Sequence, residues 1–288
     1  MCQMKSGLIL KDRIFIPDYD SHTDMLEELG IEDNQRNAET LFVRAELYPK
    51  NGDVFSPIDT WIYHVDQDIL PDWYVEKFDE ERVRKAVKEW AKDRIHIGVD
   101  GLKISSGANH YIKDCKDIEI CDSATVKRIC GSATVKSICD SATVKRICGS
   151  ATVKSICGSA TVKRICGSAT VKRICGSATV EYIYDSATVE YIYDSATVKR
   201  ICGSATVKSI YDSATVEYIY DSATVKRICG SATVEKASGF ATIISSEYGW
   251  NNKDKIILSE NSTFKDNQTK TIWQSGDWTL KLVGENNE

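Results

Sequence analysis

The chain has 288 residues, of which 42% are hydrophobic and 27% charged, and a formal net charge of −5; the composition is that of a globular protein, with length enough for two domains. No run approaches the roughly eighteen consecutive apolar residues of a membrane span, and "MCQMKSGLIL" lacks the basic start and long apolar stretch of a secretion signal, so a soluble, cytoplasmic protein is expected. Eleven cysteines would suggest a disulfide scaffold in a small secreted chain, but nine of them occupy one position of an internal repeat, so copying explains their number, and an odd total argues against complete pairing.

Three compositional zones follow one another, which predicts an α+β head over 1–100, a β-solenoid over 101–246 and a β capping segment over 247–288. In the head, "GLILKDRIFI" reads as strand, turn and strand, and "SHTDMLEELG" as a short helix capped by Ser21 and closed at Gly30. "TLFVRAELYP" and "TWIYHVD" alternate as two strands linked through "PKNGD". A helix starting near Asp79 places Val83, Ala86, Val87, Trp90 and Ala91 on one face, suited to pack on a sheet or to cover the first coil of the array.

The head also holds the candidate chemistry. Methionine is trimmed when cysteine follows it, which would leave Cys2 first, its thiol beside a free α-amine that can serve as base. His22, between Asp20 and Asp24, is placed to orient or activate that thiol, and Asn51 with Gly52 to supply oxyanion donors. In this respect the start resembles the N-terminal-nucleophile hydrolases such as glutamine amidotransferases. It departs from them in having Gln3 where a glycine is usual, and no arginine for the substrate carboxylate stands out. The bland readings are a frayed terminus for Cys2, a helix-start hydrogen bond for His22 and a hairpin turn for Asn51.

From 121 to 237 the chain is a gapless array of thirteen nine-residue units, C/Y-D/G-S-A-T-V-K/E-R/S/Y-I, and a degenerate unit, "SGFATIISS", follows at 238–246. Strict periodicity means that each unit is one element stacked on its neighbours. A unit of Ser, Thr, Val, Ile and Gly or Asp, with neither Leu nor a helical stripe, favours strand and turn. Ala124, Val126 and Ile129 are assigned inward, Ser123 and Thr125 outward. Consecutive outward residues such as Lys127 and Arg128 predict a bend between two short strands, and Asp or Gly at position two a second bend. Asp122, Gly131, Asp140 and Gly149 alternate in step with Arg128, Ser137, Arg146 and Ser155, a period of eighteen that predicts two units per coil. Seven such coils at the inter-strand spacing make a rod of about 34 Å.

A stack of this kind turns each repeat position into a column of like side chains. Outward Ser-x-Thr pairs, expected about 7 Å apart along a strand, resemble the hydroxyl faces of ice-binding β-solenoids, although such rows also suit any exposed sheet face. The cysteine row reads as inert, half-buried thiols, with disulfides or soft-metal chelation as weaker readings because tyrosine takes the position at 184, 193, 211 and 220. Tyr182, Tyr184, Tyr191 and Tyr193 are grouped in the sequence and mark the expected contact region for a partner, with Ser123, Thr125, Lys127 and Arg128 as the types of the remaining columns. Residues 121–174 carry +8 and 175–237 carry −2. A basic stripe of this kind can follow a phosphate backbone, but acidic flanks and a pI near 5.6 make solvation of the sheet the favoured reading over nucleic acid. No cofactor and no metal are expected, the partner is an unidentified macromolecule, and self-association stays open.

"MCQMKSGLILKDRIFIPDYDSHTDMLEELGI" followed by the SATV array resembles a group of proteins from gut bacteria and their phages that join an MCQ…DSH head to tandem short repeats. The resemblance covers nearly the whole chain and implies this architecture, with no activity attached. The chain as a whole reads as a non-enzymatic solenoid scaffold or multivalent binding rod. A Cys2-dependent head on a spacer is the second reading, and an ordered-water binder the third.

Overall fold

The computed structural model describes residues 5–275. They separate into two units, one running to His96 with Ala108–Tyr111, the other comprising Ile97–Gly107 and the chain from Ile112 onward.

The first unit is built on a four-stranded antiparallel sheet in the order β2-β1-β3-β4, from β1 (Lys5–Leu10), β2 (Ile14–Phe15), β3 (Phe42–Tyr48) and β4 (Ile62–Val65). Alternation along the strands gives two apolar faces. Ile9, Val43, Ala45 and Leu47 pack with Val83 and Val87 of helix α3 (Glu76–Lys92), while Leu8, Leu10 and Phe42 pack with Met25 and Leu26 of helix α1 (His22–Glu28), which the short helix α2 (Gln35–Ala38) follows in the chain. Ser21 caps α1 as its sequence predicts, its hydroxyl accepting from the Asp24 N–H at 3.2 Å, and Gly30 closes it at a φ of +65°. Helix α3 begins three residues before Asp79 because that carboxylate reaches back to the Val75 N–H at 2.9 Å, so Asp79 supports the first turn from inside it.

The second unit is a β-solenoid whose strands lie in two sheets of eleven and ten. Thr143, Val144 and Ile147 pair in parallel with Thr161, Val162 and Ile165, eighteen residues on, and the intervening unit pairs in the opposite sheet, Thr152 with Thr170 and Ile156 with Ile174. Two units therefore make one coil. Ala, Val and Ile at positions four, six and nine are 0% exposed through the array, from Ala124 to Val234, and form one continuous core. Burying each valine or isoleucine contributes about 1.5–3 kcal/mol, repeated at every unit.

Each unit holds a single strand, five residues long in most units, such as Thr143–Ile147, rather than two short strands. Its two outward residues are accommodated within it, and the register pairs Val144 with Val162 and Arg146 with Arg164. The chain reverses at positions one to four, where the Ala142 N–H donates to the Cys139 carbonyl at 3.1 Å. Position two is left-handed in both its forms, with φ of +57° at Asp140 and +68° at Gly149. Glycine enters this region freely and aspartate at small cost, which is why the array uses those two residues there and why their irregular order in later units does not disturb the stack.

The regular core extends past the repeats. Before the array, Ile112, Cys115, Ile118 and Ile120 are all buried in it. After it, Trp250 and Phe264 close the apolar column, their rings edge to face with centroids 5.3 Å apart, and the Trp250 indole N–H donates to the Ala232 carbonyl at 2.6 Å. The final described strand, Thr271–Gln274, pairs antiparallel with Thr263–Asp266 and so ends the parallel run. The segment "KTIWQSGDWTLKLV" (270–283) reads in the sequence as an alternating strand that pairs with the last coil or caps it; its part beyond residue 275 lies outside the described residues.

Candidate functional site

The two sheets of the solenoid are chemically different, because an alternation in sequence becomes a segregation in space. Arg128, Arg146 and Arg164 fall on one sheet, Ser137 and Ser155 on the other. On the first sheet the column then runs Arg164, Tyr182, Arg200, Tyr218, each paired with the next one coil on. The Arg200 guanidinium lies over the Tyr182 ring at 5.1 Å and donates to its hydroxyl. Stacking a cation on an aromatic face gives this row apolar area and charge together.

The four tyrosines grouped in the sequence are divided by the fold. Tyr182 lies in the sheet of strand Thr179–Ile183 and Tyr191 in the sheet of Thr188–Ile192, while Tyr184 and Tyr193 open successive turns. Tyr193 instead stacks on Tyr211, one coil further, with centroids 5.1 Å apart and planes within 1°, and Tyr191 meets Tyr211 edge to face at 6.3 Å. A separation of eighteen residues, not nine or two, places side chains in one column, so neighbours in sequence become residents of different faces.

The hydroxyl rows are also split. Ser123 is exposed in the turn and Thr125 opens the strand, because the left-handed Asp122 folds the chain immediately before Ser123. The Ser-x-Thr pairs thus do not share a flat strand face, and the expected strand spacing does not apply to them. Lys127 and Arg128 are both half-buried and side by side on the sheet surface.

The single cysteine position becomes two columns. Cys121, Cys139, Cys157 and Cys175 lead into Tyr193 and Tyr211; Cys130, Cys148 and Cys166 lead into Tyr184. All cysteines among the described residues are free thiols. A hydrogen bond with Cys148 lowers the Cys130 thiol below its ordinary value, whereas burial and then the adjacent Asp140 carboxylate push Cys139 up to about 11. Cys175 holds the Tyr193 hydroxyl at about 12, chiefly through their hydrogen bond. Cys121 and Cys139 each donate to the carboxylate of the following aspartate, at 3.5 and 3.3 Å, so the cluster Cys121, Asp122, Asp140 is internally satisfied.

In the first unit, Cys2 lies outside the described residues. Asn51 is exposed in a turn closed by the Gly52 N–H on the Pro49 carbonyl at 3.0 Å, and no contact joins it to His22 among the described residues. His22 is 7% exposed at the start of α1. Its partners are not the flanking aspartates. Asp20 pairs with Lys5 at 2.8 Å, and the His22 ring meets the Ala45 carbonyl through Nε2 at 3.3 Å and Asp66 Oδ2 through Nδ1 at 3.5 Å. Glu46 and Asp66, which no local motif marks, complete a cluster with His22. The helix start and β3–β4 pairing bring them together across 44 residues of chain. A cleft of about 490 Å³, lined by Asp20, Ser21, His22, Thr23, Asp33, Arg44 and Asp66, opens at this point.

No helix among the described residues is long and apolar enough to cross a membrane. The structure shows the β-solenoid of tandem repeats that the resemblance implies. No protein-family model matches the chain, and neither a curated protein nor a solved structure matches it.

Proposed function

We propose that the protein is a non-enzymatic scaffold whose solenoid presents rows of like side chains to a macromolecular partner, which binds several coils at once. The observation that carries this reading is the eighteen-residue register of the array, which repeats one backbone and core arrangement from coil to coil and so aligns the outward side chains in columns. A surface of this kind binds multivalently, since each added coil contributes another contact already held in place. The row Arg164, Tyr182, Arg200, Tyr218 is the central contact, because ordered tyrosine and arginine side chains bring area and hydrogen bonding at low entropic cost. Phosphate backbones are not the expected target, given a net charge of −5.

The test immobilises the full chain, a chain lacking one coil (175–192) and a chain with Tyr182 and Tyr218 changed to serine, and compares what each retains from lysate. Retention of a discrete partner falling at least about tenfold in both variants is expected. Equal retention on all three surfaces would overturn the proposal.

A further inference from the structure

The structure assigns a second site, independent of the solenoid: we propose that His22, Glu46 and Asp66 bind a divalent transition-metal cation of the zinc class. Glu46 is the central residue of this site. Its side chain is 7% exposed, yet among the described residues its carboxylate has no hydrogen bond and no ion pair. A carboxylate with so little water around it and no partner is poorly solvated, which disfavours its charge. The nearby cation does not relieve it, for the Arg44 guanidinium is held by Asp33 and lies over the Phe42 ring at 5.0 Å. Opposite Glu46 in the β1–β3 pair sits Ser6, 1% exposed, whose Oγ also has no partner. Residues directly opposite in antiparallel strands point to the same face, so the vacant hydroxyl and the vacant carboxylate share one side of the sheet.

A metal would satisfy what the protein leaves open. The donor atoms of His22, Glu46 and Asp66 all lie within 4.8 Å of one another. Because the Ala45 carbonyl can only accept, Nε2 of His22 donates to it at 3.3 Å, so Nδ1, which faces Asp66, is the nitrogen that would ligate the metal. A histidine whose second nitrogen is tied to a backbone carbonyl is oriented as metal-bound histidines are. The Nδ1–Oδ2 distance of 3.5 Å is longer than an ordinary hydrogen bond. It agrees with the edge of a tetrahedron around zinc, about 3.3–3.5 Å for legs near 2.0–2.2 Å. One imidazole and two carboxylates without thiolate suit a borderline cation such as Zn²⁺. His22 and Asp66 both line the cleft, which provides the entry path and a fourth position for water.

The experiment uses the full chain stripped with chelator and titrated with Co²⁺ and with Zn²⁺. One equivalent of Co²⁺ should bind with visible d–d bands and without thiolate-to-cobalt charge transfer, and Zn²⁺ should raise the melting temperature. Glu46→Gln, near in shape to the original, should weaken binding by at least about a hundredfold, as should Asp66→Asn, whose exposed carboxylate is dispensable for folding; Cys121→Ser should bind as the unaltered chain does. Zinc-independent melting, unchanged affinity in both carboxylate variants, or a charge-transfer band lost in Cys121→Ser would each overturn the assignment. Because every readout concerns metal in the first unit, failure here leaves the scaffold reading untouched.

Discussion

The backbone N–H of Gly167 donates to Oδ2 of Asp185 at 3.0 Å, one coil further along the stack. The same bond recurs from Gly176 to Asp194 and from Gly203 to Asp221, each at 3.0 Å. Position two therefore does two things at once when it is aspartate: it holds the left-handed turn and it fastens that turn to the previous coil.

These two roles separate under mutation. Asp185, with φ of +57°, should tolerate Asn best. Asp185→Gly keeps the conformation and loses the exposed bond, at about 1 kcal/mol or less. Asp185→Val forces a β-branched residue into the left-handed region and should cost a further 1–2 kcal/mol or so. Urea unfolding midpoints should rank Asn above Gly above Val; equal midpoints for Gly and Val would show that backbone conformation does not control this position.

Register predicts which deletions fold. Removing residues 175–192 takes out one coil and restores every column, with Ile174 followed by Tyr193 as the start of a new unit. Cooperative unfolding and a β-type circular dichroism spectrum should persist. Removing only 175–179 displaces valine and isoleucine from the interior of a core in which they are 0% exposed, and should abolish cooperative unfolding of the array.

Asp266 gives a pH dependence. Burial alone would raise its carboxyl, but hydrogen bonds from Lys253, Thr269 and Ser245 outweigh this and hold it at about 2. A carboxylate depressed in the folded state stabilises above its unfolded value and loses that contribution as pH falls through the folded one. Stability of the C-terminal strands should therefore be flat above about pH 5 and decline toward pH 2, and Asp266→Asn should remove most of that slope. Hydrogen exchange of the Thr263–Asp266 amides across this range provides the measurement.

The two cysteine columns should differ in reactivity. Cys130, with a thiol lowered by Cys148, presents more thiolate at neutral pH than Cys139, held at about 11 by burial and Asp140. Alkylation with iodoacetamide at pH 7.5 or so, read site by site by mass spectrometry, should modify Cys130 first. Changing Asp140 to glycine should narrow the gap, since the adjacent charge is one cause of the elevation.

The interior of the solenoid was legible from nine residues: the repeated spacing of Ala124, Val126 and Ile129 leaves one way to bury all three, and Asp or Gly at position two marks the turn. The alternation of Arg128 with Ser137 also announced two units per coil. Each of these signals is local, repeated and backed by burial, so side-chain chemistry over a few residues is enough to specify it. Which columns share a face was not legible in the same way. Tyr182 and Tyr191 look alike in sequence, yet half a coil puts them on opposite sheets, while Tyr193 meets Tyr211. The head shows the same division more sharply. Ser21 and Gly30 bounded α1 in advance, but the partners of His22 come from β3 and from the residue following β4, and only the pairing of those strands selects Asp66 and Glu46 over the nearer Asp20 and Asp24. Periodicity and capping are written along the chain because they depend on neighbours; a site assembled from distant strands depends on sheet register, which packing of the whole unit decides.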